Sequence, residues 1–180
     1  MGETAFRPIA LVGLMGAGKS AVASVLGERL GRPVADLDAA VEARAACSVA
    51  EVFAREGEGG FRRREREALV EALASGAAVL ACGGGIVLDA GNRALLRERC
   101  QVVWLEVTPR EAARRIGETA ASRPLLTGAP LEARLEALLR ERGPLYESVA
   151  ELRLATAERP AAEIADEILP AARSPRRPTS

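Results

Sequence analysis

From Pro8 onward, short apolar runs alternate with longer stretches in which apolar residues return every three or four positions, the periods of strands and of amphipathic helices. Pro8-Ile9-Ala10-Leu11-Val12 predicts a buried strand running into glycine, and Lys19 to Leu30 predicts a helix closed by Gly31 as its C-cap. Val34 to Asp38 reads as a second short strand with carboxylates at its C-terminal end. Ser48 and Glu51 form a capping box that opens a brief helix, Gly57 to Gly60 breaks the pattern, and Phe61 to about Leu73 resumes as a charged helix. Ala78 to Cys82 predicts a strand leading into Gly83-Gly84-Gly85, followed by a helix from Asp89 to Arg99. Val102 to Val107 is the next strand, and Thr108-Pro109 supplies an N-cap with proline at the first helical position. Gly117 to Pro130 has little periodicity and many small residues, which predicts a mobile lid over about 117–128. Leu131 to about Arg142 reads as a helix, Leu152 to Thr156 as a last strand and Pro160 to Leu169 as a last helix, with 170–180 expected to be a disordered tail.

Strands separated by helices need crossover connections, which in one sheet means parallel pairing with helices on both faces. A single α/β domain over residues 1–169 is the expectation for a chain of 180 residues, and ligands of such sheets sit at the carboxyl ends of the strands. Composition removes several function classes. Formal net charge is zero, so no basic surplus exists to neutralise nucleic-acid phosphates. No apolar run approaches the roughly 18 residues of a membrane helix, and no export signal is read at the N-terminus, so a cytoplasmic location is expected. The chain has no histidine, so His-containing zinc sites and Ser-His or Cys-His nucleophiles are excluded and any general base is a carboxylate. Cys47, Cys82 and Cys100 are odd in number and far apart, and read as structural thiols.

Gly13-Leu14-Met15-Gly16-Ala17-Gly18-Lys19-Ser20 matches G-x-x-x-x-G-K-[ST] between a predicted strand and a predicted helix. Such a loop turns backbone N–H groups around phosphate oxygens and adds the positive end of the following helix. Gly16, Ala17, Gly18, Lys19, Ser20 and Ala21 are therefore the candidate nucleotide-binding residues, with Lys19 reaching the β- and γ-phosphates of ATP and Ser20 offering its hydroxyl to Mg²⁺. Among 25 basic residues Lys19 is the one lysine, which marks a place where a compact ammonium is needed and a planar guanidinium fails. Ala21 stands where many such loops carry a second hydroxyl.

Asp36 and Asp38, two residues apart at a strand end, are expected to face the same side near the mouth of that loop. One carboxylate can hold Mg²⁺ and the other can accept the proton of an attacking hydroxyl; helix capping is the plainer use for such a pair. Arg62 within Arg62-Arg63-Arg64-Glu65-Arg66-Glu67 reads equally as a solvated helix face, and Arg142 as a charge complementing a helix end.

Taken in order, the P-loop, Asp36-Leu37-Asp38, Gly57-Glu58 with Phe61-Arg62, Gly83-Gly84-Gly85, Arg123-Pro124-Leu125-Leu126 and Arg142-Gly143-Pro144-Leu145-Tyr146 resemble the shikimate kinase family. The resemblance spans Gly13 to Tyr146. It implies a P-loop nucleoside-triphosphate-hydrolase-type three-layer sandwich with a five-stranded parallel sheet, similar to nucleoside-monophosphate kinases, and transfer of the γ-phosphoryl group of ATP to the 3-hydroxyl of shikimate. Carried over by position, Asp38, Lys19 and Arg123 are the catalytic residues, and Asp38, Arg62, Gly84 and Arg142 bind shikimate. Arg123 and Arg159 join the nucleotide contacts, and Ser20 and Asp36 stand on the Mg²⁺ side. A monomer acting on small molecules, with no nucleic-acid or membrane partner, is expected. The lid departs from the family pattern in lacking a second arginine between Gly117 and Ser122; Arg114 and Arg115 in the preceding helix either compensate or are solvated. Two other readings share the cradle: a kinase for another small molecule, such as gluconate or a nucleotide, and an ATP-binding regulatory module without catalysis. Asp38, Arg62 and the triple glycine, as a set, argue against the first, and the co-occurrence of the Asp36-x-Asp38 pair with the carboxylate-binding arginines argues against the second.

Overall fold

The computed structural model describes residues 7–117 and 130–172. Five strands, β1 (Ile9–Val12), β2 (Val34–Asp36), β3 (Val79–Ala81), β4 (Gln101–Glu106) and β5 (Leu152–Ala155), form one sheet in the order β2-β3-β1-β4-β5. Every neighbouring pair is parallel. Between them run α1 (Lys19–Leu30), α2 (Leu37–Ala45), α3 (Val49–Ala74), α4 (Ala90–Arg99), α5 (Pro109–Ile116), α6 (Leu131–Val149) and α7 (Ala161–Ala172).

β1 is the central strand and is buried on both faces, which is why its sequence is a continuous apolar run rather than an alternating one. Its side chains still divide by parity. Ile9 and Leu11 enter a core shared with Leu26 of α1, Ile116 of α5 and Ile164 and Ile168 of α7. Ala10 and Val12 enter the opposite core with Leu37 of α2, Leu69 of α3, Leu96 of α4 and Tyr146 of α6. Helices on both faces of a parallel sheet make the three-layer α/β sandwich that the alternation of elements predicts. The predicted caps hold: Gly31 closes α1 in the left-handed conformation at φ 60°, and Thr108 accepts from the Glu111 N–H with Pro109 following at the first helical position.

Four boundaries differ from the expectations. β2 ends at Asp36, and α2 begins at Leu37, so Asp38 lies in the first turn of a helix rather than at a strand end. The brief helix after Ser48 does break at Gly57, whose φ 70° and ψ −176° are not helical, but the second helix resumes directly after that kink rather than at Phe61, so that the two run on as α3. Glu56 packs back across that bend to Arg63 and Arg64, and a side chain at Gly60 would meet the Glu56 Cβ at 2.3 Å, so glycine is required there. α6 continues past Arg142, through Gly143 and Pro144, to Val149; its buried face of Arg142, Tyr146 and Val149 outweighs the poor helix propensity of the Gly-Pro pair. α7 extends to Ala172 with Pro170 inside it, past the predicted end at Leu169. Residues 118–129, which hold Arg123 and nearly all of the expected lid, and the tail residues 173–180 lie outside the described residues.

Candidate active site

A cleft of about 460 Å³ opens at the carboxyl ends of β1, β2 and β3, and its lining includes Lys19, Ser20, Asp36, Asp38, Arg62 and Arg142. The phosphate end is built from one contiguous segment. After Val12 the chain turns through Gly16 (φ 80°) and Gly18 (φ 86°), a left-handed geometry that side-chain-bearing residues rarely adopt, and enters α1 at Lys19. Lys19 Nζ donates to the carbonyls of Gly13 at 2.9 Å and Leu14 at 3.0 Å, which draws the ammonium back over its own loop. Gly16, Gly18 and Ala21 line the cleft as well, whereas Ala17 is fully buried and donates its N–H to Leu14 O at 3.2 Å.

Asp36 connects this loop to α2. As the N-cap of α2 it accepts on Oδ1 from the N–H groups of Asp38 (3.1 Å) and Ala39 (3.2 Å), and on Oδ2 from the Ser20 hydroxyl at 2.6 Å. The capping use that the sequence left open is therefore real for Asp36, and it coexists with the contact to Ser20. One carboxylate and one hydroxyl beside a phosphate cradle are hard oxygen donors of the kind Mg²⁺ takes when phosphate oxygens and water complete its shell. Asp38, released from capping by Asp36, turns its carboxylate toward the triple glycine: a side chain at Gly83 would lie 2.8 Å from Asp38 Oδ1 and 2.5 Å from Glu65 Oε1.

Glu65 is the residue that sequence reading missed. It is 1% exposed, and its Oε2 accepts from Arg62 Nη1 at 2.8 Å while Oε1 finds no hydrogen-bond partner among the described residues. Burial pushes its carboxyl above the ordinary carboxylate range, the Arg62 charge and hydrogen bond oppose that shift, and Asp38 reinforces it. The signal was the i, i+3 spacing from Arg62 on a helix. Arg62 also pairs with Glu58 at 3.1 Å, and its guanidinium fills the space where Gly85 has no side chain, 2.1 Å from an imagined Cβ. Arg142 is 2% exposed in mid-helix, so it is not complementing a helix end. Among the described residues the Nε atoms of Arg62 and Arg142 are buried and find no acceptor, so each arginine keeps a donor that an anion in the cleft would satisfy. Phe53 and Phe61, with ring centroids 4.6 Å apart, form the apolar wall.

The two arginines before the lid have separate fates. Arg114 is an exposed partner of Glu111. Arg115 reaches Gly16 O at 3.3 Å and the Thr156 carbonyl at 2.5 Å, joining the phosphate loop to the segment after β5. Arg159 lies in that segment, paired with Glu163 at 3.0 Å and with Glu167, and is not among the residues lining the cleft. Cys82 and Cys100 are buried, with thiols raised by burial, Cys100 to about 12, and Cys47 is half-buried; all three are free. No helix among the described residues is long and apolar enough to cross a membrane.

The family model described as Shikimate kinase matches residues 15–173. The chain belongs to the shikimate kinase family. A shikimate kinase of Thermobifida fusca is 49% identical over 170 residues, covering 92% of this chain and 97% of its own length. One from Symbiobacterium thermophilum is 46% identical over 162 residues, with 89% and 93% coverage. In three dimensions, a shikimate kinase from Acinetobacter baumannii in complex with shikimate superposes with a TM-score of 0.88 at 38% identity over 93% of each chain. A gluconokinase from Sinorhizobium meliloti shares the fold at a TM-score of 0.58 and 20% identity. The three-layer fold is thus common to several kinases, while sequence identity of 38–49% singles out the shikimate kinase family.

Proposed function

We propose that this chain transfers the γ-phosphoryl group of ATP to the 3-hydroxyl of shikimate, giving shikimate 3-phosphate and ADP. One observation carries the reading: a single cleft holds a phosphate cradle with its lysine at one end and, at the other, the half-buried carboxylate of Asp38 with two arginines, Arg142 buried and Arg62 half-buried. A hydroxylated ring acid needs a group to orient its hydroxyl and cations to receive its carboxylate. Gluconate carries a carboxylate too, but identity of 46–49% to shikimate kinases, against 20% to a gluconokinase of the same fold, supports the cyclic acid.

Phosphoryl transfer asks the protein chiefly for positioning and charge neutralisation. The amide groups of the glycine loop and Lys19 hold the β- and γ-phosphates and stabilise the charge that builds on them, and Arg123 is assigned to the same phosphates. Ser20 and Asp36 are the residues that would hold Mg²⁺, which supplies further neutralisation of phosphate charge when bound. Asp38 orients the attacking hydroxyl and accepts its proton on a carboxylate oxygen, the role histidine would take in a chain that had one. Arg62 and Arg142 grip the acceptor carboxylate through guanidinium forks, and the Gly84 backbone approaches its ring. Glu65 holds Arg62 from behind with a charge-assisted bond, so the arginine meets its ligand in a fixed orientation. Arg159 is assigned to the adenine end of the nucleotide, on the same segment that Arg115 ties to the phosphate loop.

The decisive assay measures ADP release from ATP with shikimate, gluconate and nucleoside monophosphates supplied separately. Shikimate-dependent turnover well above the others is the expected result. Preference for gluconate or a monophosphate overturns the acceptor assignment, and nucleotide binding without turnover on any acceptor would favour a regulatory module.

A further inference from the structure

Tyr146 is the largest fully buried side chain among the described residues. It lies one helical turn beyond Arg142 on α6, its ring tilted against Trp104 at a centroid separation of 5.8 Å, in a core otherwise made of residues such as Val12, Ile86 and Leu96. Phenylalanine would fill that volume without bringing a hydroxyl into an apolar core, where an unpartnered one is costly. The hydroxyl is not idle. It donates to the carbonyl oxygen of Gly84, and the Arg142 guanidinium acts on the hydroxyl itself through both charge and hydrogen bonding. Burial nevertheless pushes the phenol up to about 12, so the group remains a proton donor.

Both partners belong to the acceptor end of the cleft. Gly84 is wedged between two elements: a side chain there would lie 3.4 Å from the Gly13 carbonyl of the phosphate loop and 3.6 Å from the Tyr146 hydroxyl. No peptide bond among the described residues is cis, so holding the Gly84 carbonyl toward α6 aims the N–H of the same peptide, carried by Gly85, the opposite way. Resting on the reading of the cleft given above, we infer that Tyr146 is a positioning residue for the acceptor: its hydroxyl fixes the Gly84 peptide and the Arg142 guanidinium in one arrangement, and so sets where the acceptor lies relative to the phosphate loop. It reaches the acceptor only through those two groups.

The test uses the full chain. Tyr146→Phe keeps the ring and removes the hydroxyl; KM for shikimate is expected to rise about tenfold, the scale of one lost buried hydrogen bond, while KM for ATP changes by less than about twofold. A merely structural tyrosine would lower the melting temperature and disturb both constants alike, and that outcome, or an unchanged KM for shikimate, overturns the inference. A second measurement needs no variant. Because the chain contains one tyrosine, global incorporation of 3-fluorotyrosine labels this position alone. Its ¹⁹F resonance should move on saturation with shikimate and stay nearly fixed with ADP; a resonance that ignores shikimate, or moves equally with ADP, refutes the positioning role even if Tyr146→Phe does not fold. Failure of the acceptor reading is distinguishable, since the unaltered chain would then not turn over shikimate at all.

Discussion

The two ends of the cleft are built on different plans. The phosphate end is one continuous stretch, Gly13 to Ser20, in which a strand, a glycine turn and a helix N-terminus follow directly along the chain. The acceptor end is assembled from pieces far apart in sequence: Asp38 on α2, Arg62 and Glu65 on α3, the turn Gly83 to Gly85 after β3, and Arg142 with Tyr146 on α6. The phosphate end relies on backbone amides and one ammonium, which suits a ligand group common to many reactions. The acceptor end relies on buried side chains holding one another, Glu65 on Arg62 and Tyr146 on Gly84, which suits discrimination between one small acid and another. On the proposed assignment, recognition of the shared substrate is local, while recognition of the particular one depends on tertiary packing.

Substitutions can break that contrast. Asp38→Asn should produce the largest effect: loss of the proton-accepting oxygen is expected to lower kcat by about 10²–10⁴-fold while nucleotide still binds. Asp36→Asn should differ in kind, shifting the magnesium requirement more than the response to shikimate, because Asp36 touches Ser20 and the start of α2. Kinetics across magnesium and shikimate concentrations separate the two, and normal turnover by Asp38→Asn would remove the proposed base.

Lys19→Arg comes next. The chain uses arginine at every other basic position, yet a fork is too broad for a seat bounded by the Gly13 and Leu14 carbonyls, and kcat should fall by at least about 10²-fold. Near-normal turnover would mean that the phosphate end needs charge only, and the contrast with the acceptor end would weaken.

Lysine at Arg62 or Arg142 keeps the charge and loses the paired donors. Shikimate binding should weaken by about 1–3 kcal/mol with ATP affinity little changed, as calorimetric titration of each ligand would report. The reverse pattern would assign these arginines to the nucleotide.

The smallest effect concerns Glu65. Its carboxyl is raised in the folded protein, chiefly by burial, so the fold holds that proton more tightly than the unfolded chain does. Its contribution to stability is therefore greatest below the ordinary value of 4.5 and declines as pH rises through the raised pKa. Denaturant midpoints of the unaltered chain and of Glu65→Gln, compared from about pH 4 to pH 8, should show the unaltered chain losing ground to the variant as pH increases. A parallel pair of curves would mean that Arg62 cancels the cost of burial completely.

Much of this was legible in the sequence because its causes are local. Apolar runs and helical periods fixed the order of strands and helices, a glycine turn before Lys19 fixed the cradle, and Ser48, Thr108 and Gly31 fixed three helix ends, since each depends on a residue and its near neighbours in the chain. What only the tertiary structure decided is which charges are buried and whom they face. Arg62 and Arg63 are adjacent arginines on one helix, yet the first turns to Glu65 inside the cleft and the second lies on the surface with Glu56. Asp36 caps and Asp38 does not, because β2 stops at Asp36, two residues earlier than expected, and α2 begins at Leu37. α6 runs through Gly143 and Pro144 because Tyr146 and Val149 have a core to enter. Propensity and spacing act over a few residues, whereas desolvation and charge pairing act across the packed interior, and it is the latter that turned a run of arginines and acids into an acceptor site.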